Sequence, residues 1–175
     1  MANKAQVLTV RSIEGVIDVI GRATSWVALV IIALMTTNVI LRYTIQYGAV
    51  WSQEMEWHLL GVLVLFGMSY ALLKDDHVRV DLFYSRFSEG TKRLVNILTC
   101  VLQMAISIFI IWLSLKYVEQ SYSIGEISPD PGGLPFRWAI KALLPLGFFL
   151  LLLQSLAALL RLFMMEKEES GAHHV

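Results

Sequence analysis

Three uncharged stretches, residues 24–41, 94–115 and 142–160, constrain this chain more than any motif in it. A fourth, residues 57–73, is shorter but also free of Asp, Glu, Lys and Arg. A helix crosses the hydrocarbon core of a bilayer with roughly 17–25 apolar residues. Within that core each backbone N–H and C=O must be satisfied inside the segment, so apolar runs of this length become helices. The sequence therefore reads as an all-α integral membrane protein with four transmembrane helices. Their expected positions are 24–41, 57–73, 94–115 and 136–160, within a domain spanning 24–161. An N-terminal amphipathic helix falls within 1–23, short interfacial helices flank the spans, and a tail occupies 162–175. Composition agrees: charged residues make up 16% of the 175-residue chain, against about 25% in a soluble domain. A cleaved leader is not expected, because no small-residue cleavage site follows the first apolar run.

Basic residues orient the spans. Lys4, Arg11, Arg22, Lys74, Arg79, Arg86, Lys92, Arg93, Arg161 and Lys167 fall on one side of a four-span chain, and Arg42, Lys116, Arg137 and Lys141 on the other. The excess marks the cytoplasmic side. Both termini and the middle connection are thus expected in the cytoplasm, and the first and third connections in the periplasm. The formal net charge is zero, so nothing in the charge balance points to nucleic acid.

Before the first span, Val10, Ile13, Val16, Ile17 and Ile20 share one helical arc, opposite Arg11, Glu14, Asp18 and Arg22. Such a helix can lie among headgroups or dock on a partner, and the headgroup position is the expectation. In the first periplasmic connection Gly48 breaks the chain, and a short helix then presents Trp51, Glu54, Met55 and His58 on one face. Trp57 is placed as a headgroup-level anchor. The third span carries a polar stripe, Asn96, Thr99, Gln103, Ser107 and Ser114, at helical spacing. Lipid offers such groups no hydrogen-bond partner, so the stripe should face the bundle or another subunit. Gly67 and Ala71 form a small-xxx-small pair in the second span. The third connection, rich in Pro and Gly, predicts tight turns. Pro135 is expected as the first residue of the fourth helix. Phe136 and Trp138 are expected at the interface, and Arg137 and Lys141 snorkelling. Pro145 and Gly147 predict a kink.

The polar segment "DDHVRVD" at 75–81 is the best candidate for chemistry. Asp75, Asp76, His77 and Asp81 are metal-ligand types, but they lack any metal-defining spacing. Haem ligation needs facing axial groups, whereas His58 and His77 stand about 28 Å apart along a helix. A self-contained proton-coupled carrier usually places ionisable residues inside its spans, and the interiors of these spans have none of Asp, Glu, Lys or Arg. No nucleophile–base pair or phosphate-binding glycine loop is evident. Asp81 suits the N-cap of a following amphipathic helix. The segment reads as an ordered turn, and the chain as no enzyme.

Four sequence blocks, Arg42-Tyr43, "WSQE" at 51–54, "HVRVD" at 77–81 and "LPFRWAIKALLPLGF" before Gln154, resemble the small membrane subunit of tripartite ATP-independent periplasmic (TRAP) transporters. The resemblance runs from about Arg42 to Gln154. It implies a bacterial inner-membrane subunit that partners a large membrane subunit and a periplasmic solute-binding protein, within membrane lipid. It also implies that substrate and sodium sites belong to the large, moving subunit, that this chain carries no cofactor, and that it scaffolds sodium-coupled uptake of an organic acid. Subunit-interface candidates are then Arg42, Trp51, Glu54, His58, His77, Arg79, Asp81, Asn96, Thr99, Gln103, Ser107, Pro135 and Trp138. The rival readings are a membrane anchor for a redox enzyme and a self-contained small transporter.

Overall fold

The computed structural model describes residues 4–75 and 87–172, with side chains described over 7–75 and 87–164. The described residues form four helices: α1 (Lys4–Ile45), α2 (Val50–Lys74), α3 (Glu89–Ser123) and α4 (Arg137–Ala172). All four are long and apolar enough to cross a membrane. His77, Arg79 and Asp81, and the short helix expected after Asp81, lie outside the described residues.

The amphipathic segment is not a separate surface helix. It is continuous with the first span in α1. At 42 residues α1 is about 63 Å long, twice the roughly 30 Å hydrocarbon core. Its inner face repeats every seven residues, with Val10, Ile17 and Thr24 all buried. That face is covered by the chain's own helices rather than by headgroups. Gly21 lies against Tyr70 of α2, so closely that a Cβ there would sit 2.6 Å from the Tyr70 Cβ. The short helix carrying Trp51 and Glu54 is likewise not separate, being the first two turns of α2.

α4 is the hub. It packs along α3, and also on α2 and α1, while α1 packs mainly on α2. On α3 the buried residues are Cys100, Ser107, Ser114 and Ser121, one every seven residues. Opposite them α4 buries Gln154, Ser155 and Ala157. Between helices in lipid, association rests on close packing and interhelical hydrogen bonds, and small residues permit both. Gly147 lets α4 approach α2 closely, and a Cβ there would meet Leu65 Cβ at 2.7 Å and its carbonyl oxygen at 2.9 Å. Gly67 has no atom near where its Cβ would be. Close packing therefore uses Gly21 and Gly147, not the Gly67–Ala71 pair.

Candidate functional site

Among the described residues, the end of the bundle that carries residues 46–49 and 124–136, here the loop end, gathers the densest polar contacts. Glu54 stands one turn into α2, 5% exposed, and its carboxylate organises the third connection. It accepts hydrogen bonds from the Ser128 hydroxyl, from the Leu134 N–H at 2.6 Å and from the Arg137 guanidinium at 2.7 Å. The same guanidinium donates to Ser128 Oγ at 3.2 Å. Charge-assisted bonds of this kind are the strong ones, and a carboxylate removed from water needs all of them. Gly133 leaves room for the arrangement. A Cβ there would lie 2.5 Å from Ser128 Cβ and 2.9 Å from Glu54 Oε2.

The connection is ordered by its backbone as well. The Ser128 N–H donates to the Leu134 carbonyl at 3.3 Å, the Gly133 N–H to Asp130 at 3.0 Å, and the Arg137 N–H to Glu126 at 3.1 Å. Lys141 pairs with Glu126 and lies 4.0 Å from the centre of the Tyr117 ring. The hydrogen bond from Lys141 holds the Glu126 carboxyl below the usual carboxylate range. Tyr122 and Trp138 meet edge to face with ring centres 5.6 Å apart.

A second cluster ties α1 to α2. The Asn38 amide donates to Glu56 at 2.5 Å, and the Ser52 hydroxyl donates to Asn38 Oδ1 at 2.8 Å. Beside it a cavity is lined by Arg42, Gly48, Gln53, Glu56 and Trp57, among others.

The structure corrects several expectations. Arg137 and Lys141 do not snorkel outward but turn onto Glu54 and Glu126. Pro135 is not the first helical residue. Phe136 intervenes with φ +62°, and α4 begins at Arg137, whose N–H is already committed to Glu126. Glu54 and Trp51 do not share an environment, since Trp51 is 47% exposed. Among the described residues, His58 reaches the backbone carbonyl of Glu54, at 2.5 Å. On α3, Ser107 and Ser114 are buried, and Gln103 accepts a hydrogen bond from Ser155 at 3.3 Å. Asn96 is half-buried. Thr99 is exposed and donates to its own helix at the Val95 carbonyl, which satisfies a hydroxyl without any neighbour. Cys100 and Ser121 complete the buried row. A polar pattern passes over Cys100, because the seam selects small side chains as well as polar ones, and Ser121 lies beyond the expected end of the span at 115.

The model of the DctQ component of tripartite ATP-independent periplasmic transporters matches residues 31–165. The chain belongs to that family. A relative, the ectoine TRAP transporter small permease protein TeaB of Halomonas elongata, is 26% identical over 146 residues, covering 79% of this chain and 75% of TeaB. As a DctQ component the chain is a transporter part and not an enzyme, and it is a multi-pass protein of the inner membrane. TRAP small subunits in general work with a large subunit and a binding protein.

Proposed function

We propose that this DctQ component scaffolds the large membrane subunit during sodium-coupled uptake of an organic acid delivered by a periplasmic binding protein. The observation carrying the proposal is the placement of charge. At the bundle's ends, Glu54, Glu126, Asp18 and Glu14 are each paired with a basic residue of the same chain. The interiors of the spans between offer no Asp, Glu, Lys or Arg to couple a solute to an ion. Coupling and substrate selection then belong to the partner, which leaves this chain the role of a rigid support without a cofactor. A broad apolar surface on α3, including Leu98, Phe109 and Trp112, suits a body embedded beside a partner and lipid. The ordered third connection and exposed Trp51 form a platform at the loop end. Glu54 contributes by holding that platform, because its own carboxylate is enclosed.

The test is uptake in vesicles. With the large subunit and the binding protein present, uptake of an organic acid or of ectoine should require both a sodium gradient and this chain. Uptake by this chain alone would overturn the scaffold reading, as would a visible haem spectrum of the purified complex. We place both termini in the cytoplasm. Ser88→Cys and Asp130→Cys, each in a Cys100→Ser background, should then be labelled from opposite sides, Asp130→Cys from the periplasm. Labelling of both from one side would reject that orientation.

A further inference from the structure

The cavity between the loop ends of α1 and α2 has a volume of about 280 Å³ and carries charges of both signs, Arg42 and Glu56. Among the described residues Arg42 makes no hydrogen bond or ion pair. Glu56 accepts one hydrogen bond, from Asn38, and a carboxylate has room for more. A third polar feature lines the same cavity. Ala49, the N-cap residue of α2, provides no side-chain acceptor, so the first-turn N–H groups of a 25-residue helix keep open valences. A helix start of this kind favours an anion, above all a phosphate. Arg42 supplies the full positive charge that such a group prefers.

Glu56 rules against a simple anion, since it lines the wall within which a phosphate would sit. A ligand carrying both a phosphate and an ammonium group satisfies both sides. The surroundings say where it comes from. Met35 and Val39 add apolar wall, and Trp57, also on the rim, is 70% exposed in the manner of a headgroup-level anchor. The volume is below the roughly 300–1,000 Å³ of pockets that enclose whole small molecules. It accommodates a headgroup whose chains remain outside.

We infer that this cavity holds the headgroup of an amine-bearing phospholipid, with its phosphate between Arg42 and the start of α2 and its ammonium group on Glu56. The lipid would fill the gap between α1 and α2 and steady the helix on which Glu54 stands.

The full chain, purified in detergent and stripped of lipid, is exchanged with equimolar phosphatidylethanolamine and phosphatidylglycerol and examined by native mass spectrometry. Wild type should retain phosphatidylethanolamine over phosphatidylglycerol by about tenfold, the ratio that one charge-assisted contact supplies. Glu56→Gln should bring the two lipids level, and Arg42→Gln should lower retention of both. Equal retention by wild type overturns the proposal even if neither variant folds. Glycerophosphoethanolamine, the headgroup without its chains, should not displace the lipid at equal concentration. If it does, the site belongs to a soluble zwitterion and the lipid assignment fails.

Discussion

The two ends of the bundle use the same residue types to different effect. At the loop end an enclosed carboxylate, Glu54, draws together a hydroxyl, a backbone N–H and a guanidinium from one irregular segment. At the opposite end Asp18 pairs with Lys74 at 2.8 Å and with Arg22 at 2.7 Å, and Arg161 pairs with Glu14 at 2.5 Å. Asp18–Lys74 and Glu14–Arg161 join helices that are already formed, Asp18–Arg22 lies within α1, and the basic partners are 43–66% exposed. Charge builds structure where backbone is irregular and water is excluded. It adds little where regular helices have already packed, because exposed ion pairs lose most of their attraction to solvent.

The largest effect should follow from Glu54→Gln. An amide presents two hydrogens where the carboxylate presents only lone pairs, so one side of the site would set donor against donor. Arg137, whose side chain is 29% exposed, would also lose its counter-charge, and a partly enclosed charge without a partner is destabilising. The expected outcome is protease cutting within residues 124–136, together with a larger fall in unfolding midpoint than either Gly21→Ala or Asp18→Asn produces. Resistance equal to wild type would mean that the connection holds itself, and the contrast between the two ends would collapse.

The next effect belongs to the opposite end and to packing. Gly21→Ala puts a methyl group inside the van der Waals envelope of Tyr70, at the near end of that side chain rather than its flexible tip. Overpacking of this kind costs about 1–3 kcal/mol, measurable as a lower midpoint in denaturant. If Gly21→Ala is neutral while Asp18→Asn is damaging, charge rather than packing secures this end.

How much of this was legible follows the same division. The four spans were readable because uncharged runs of bilayer length have one outcome in lipid. The inner faces were partly readable: Ser107 and Ser114 lie on the predicted stripe and are buried. Thr99 lies on the same stripe but outside the chain's own inner face, with its hydroxyl satisfied on its own helix. Gly67 and Ala71 carried the local signal of close packing, but which glycine meets a neighbour depends on a helix far away in sequence. The Glu54–Arg137 pair was illegible for that reason. The two residues are 83 positions apart, and each alone looked like an ordinary interfacial charge. Only the folded third connection brings them together.

A smaller effect should appear with pH. Folding lowers the pKa of Glu126, chiefly through the hydrogen bond from Lys141. A carboxyl depressed in the folded state adds stability above its unfolded pKa, and that stability is lost as pH falls through the folded value. Acidification below the usual carboxylate range should therefore loosen the third connection, and Glu126→Gln should flatten that part of the profile of unfolding midpoint against pH. An unchanged profile in the variant would assign the acid response to other carboxylates.

The smallest effect is expected for Asp18→Asn. Asp18 faces Lys74 and Arg22, and the Arg22 and Lys74 side chains are 66% and 43% exposed. Both cations can turn to water when the carboxylate is removed, and the Lys74 ammonium also has the Tyr70 ring 5.3 Å away. Meanwhile Val10, Ile17 and Gly21 continue to hold α1 against its neighbours. The midpoint of Asp18→Asn should thus nearly match wild type, and the residual difference should vanish in high salt, which screens exposed pairs and leaves enclosed ones largely intact. Glu54→Gln provides the control, because its loss should persist in the same salt. If Asp18→Asn proved as damaging as Glu54→Gln and as insensitive to salt, Asp18 would be an organising centre in its own right, and the two ends would be built alike.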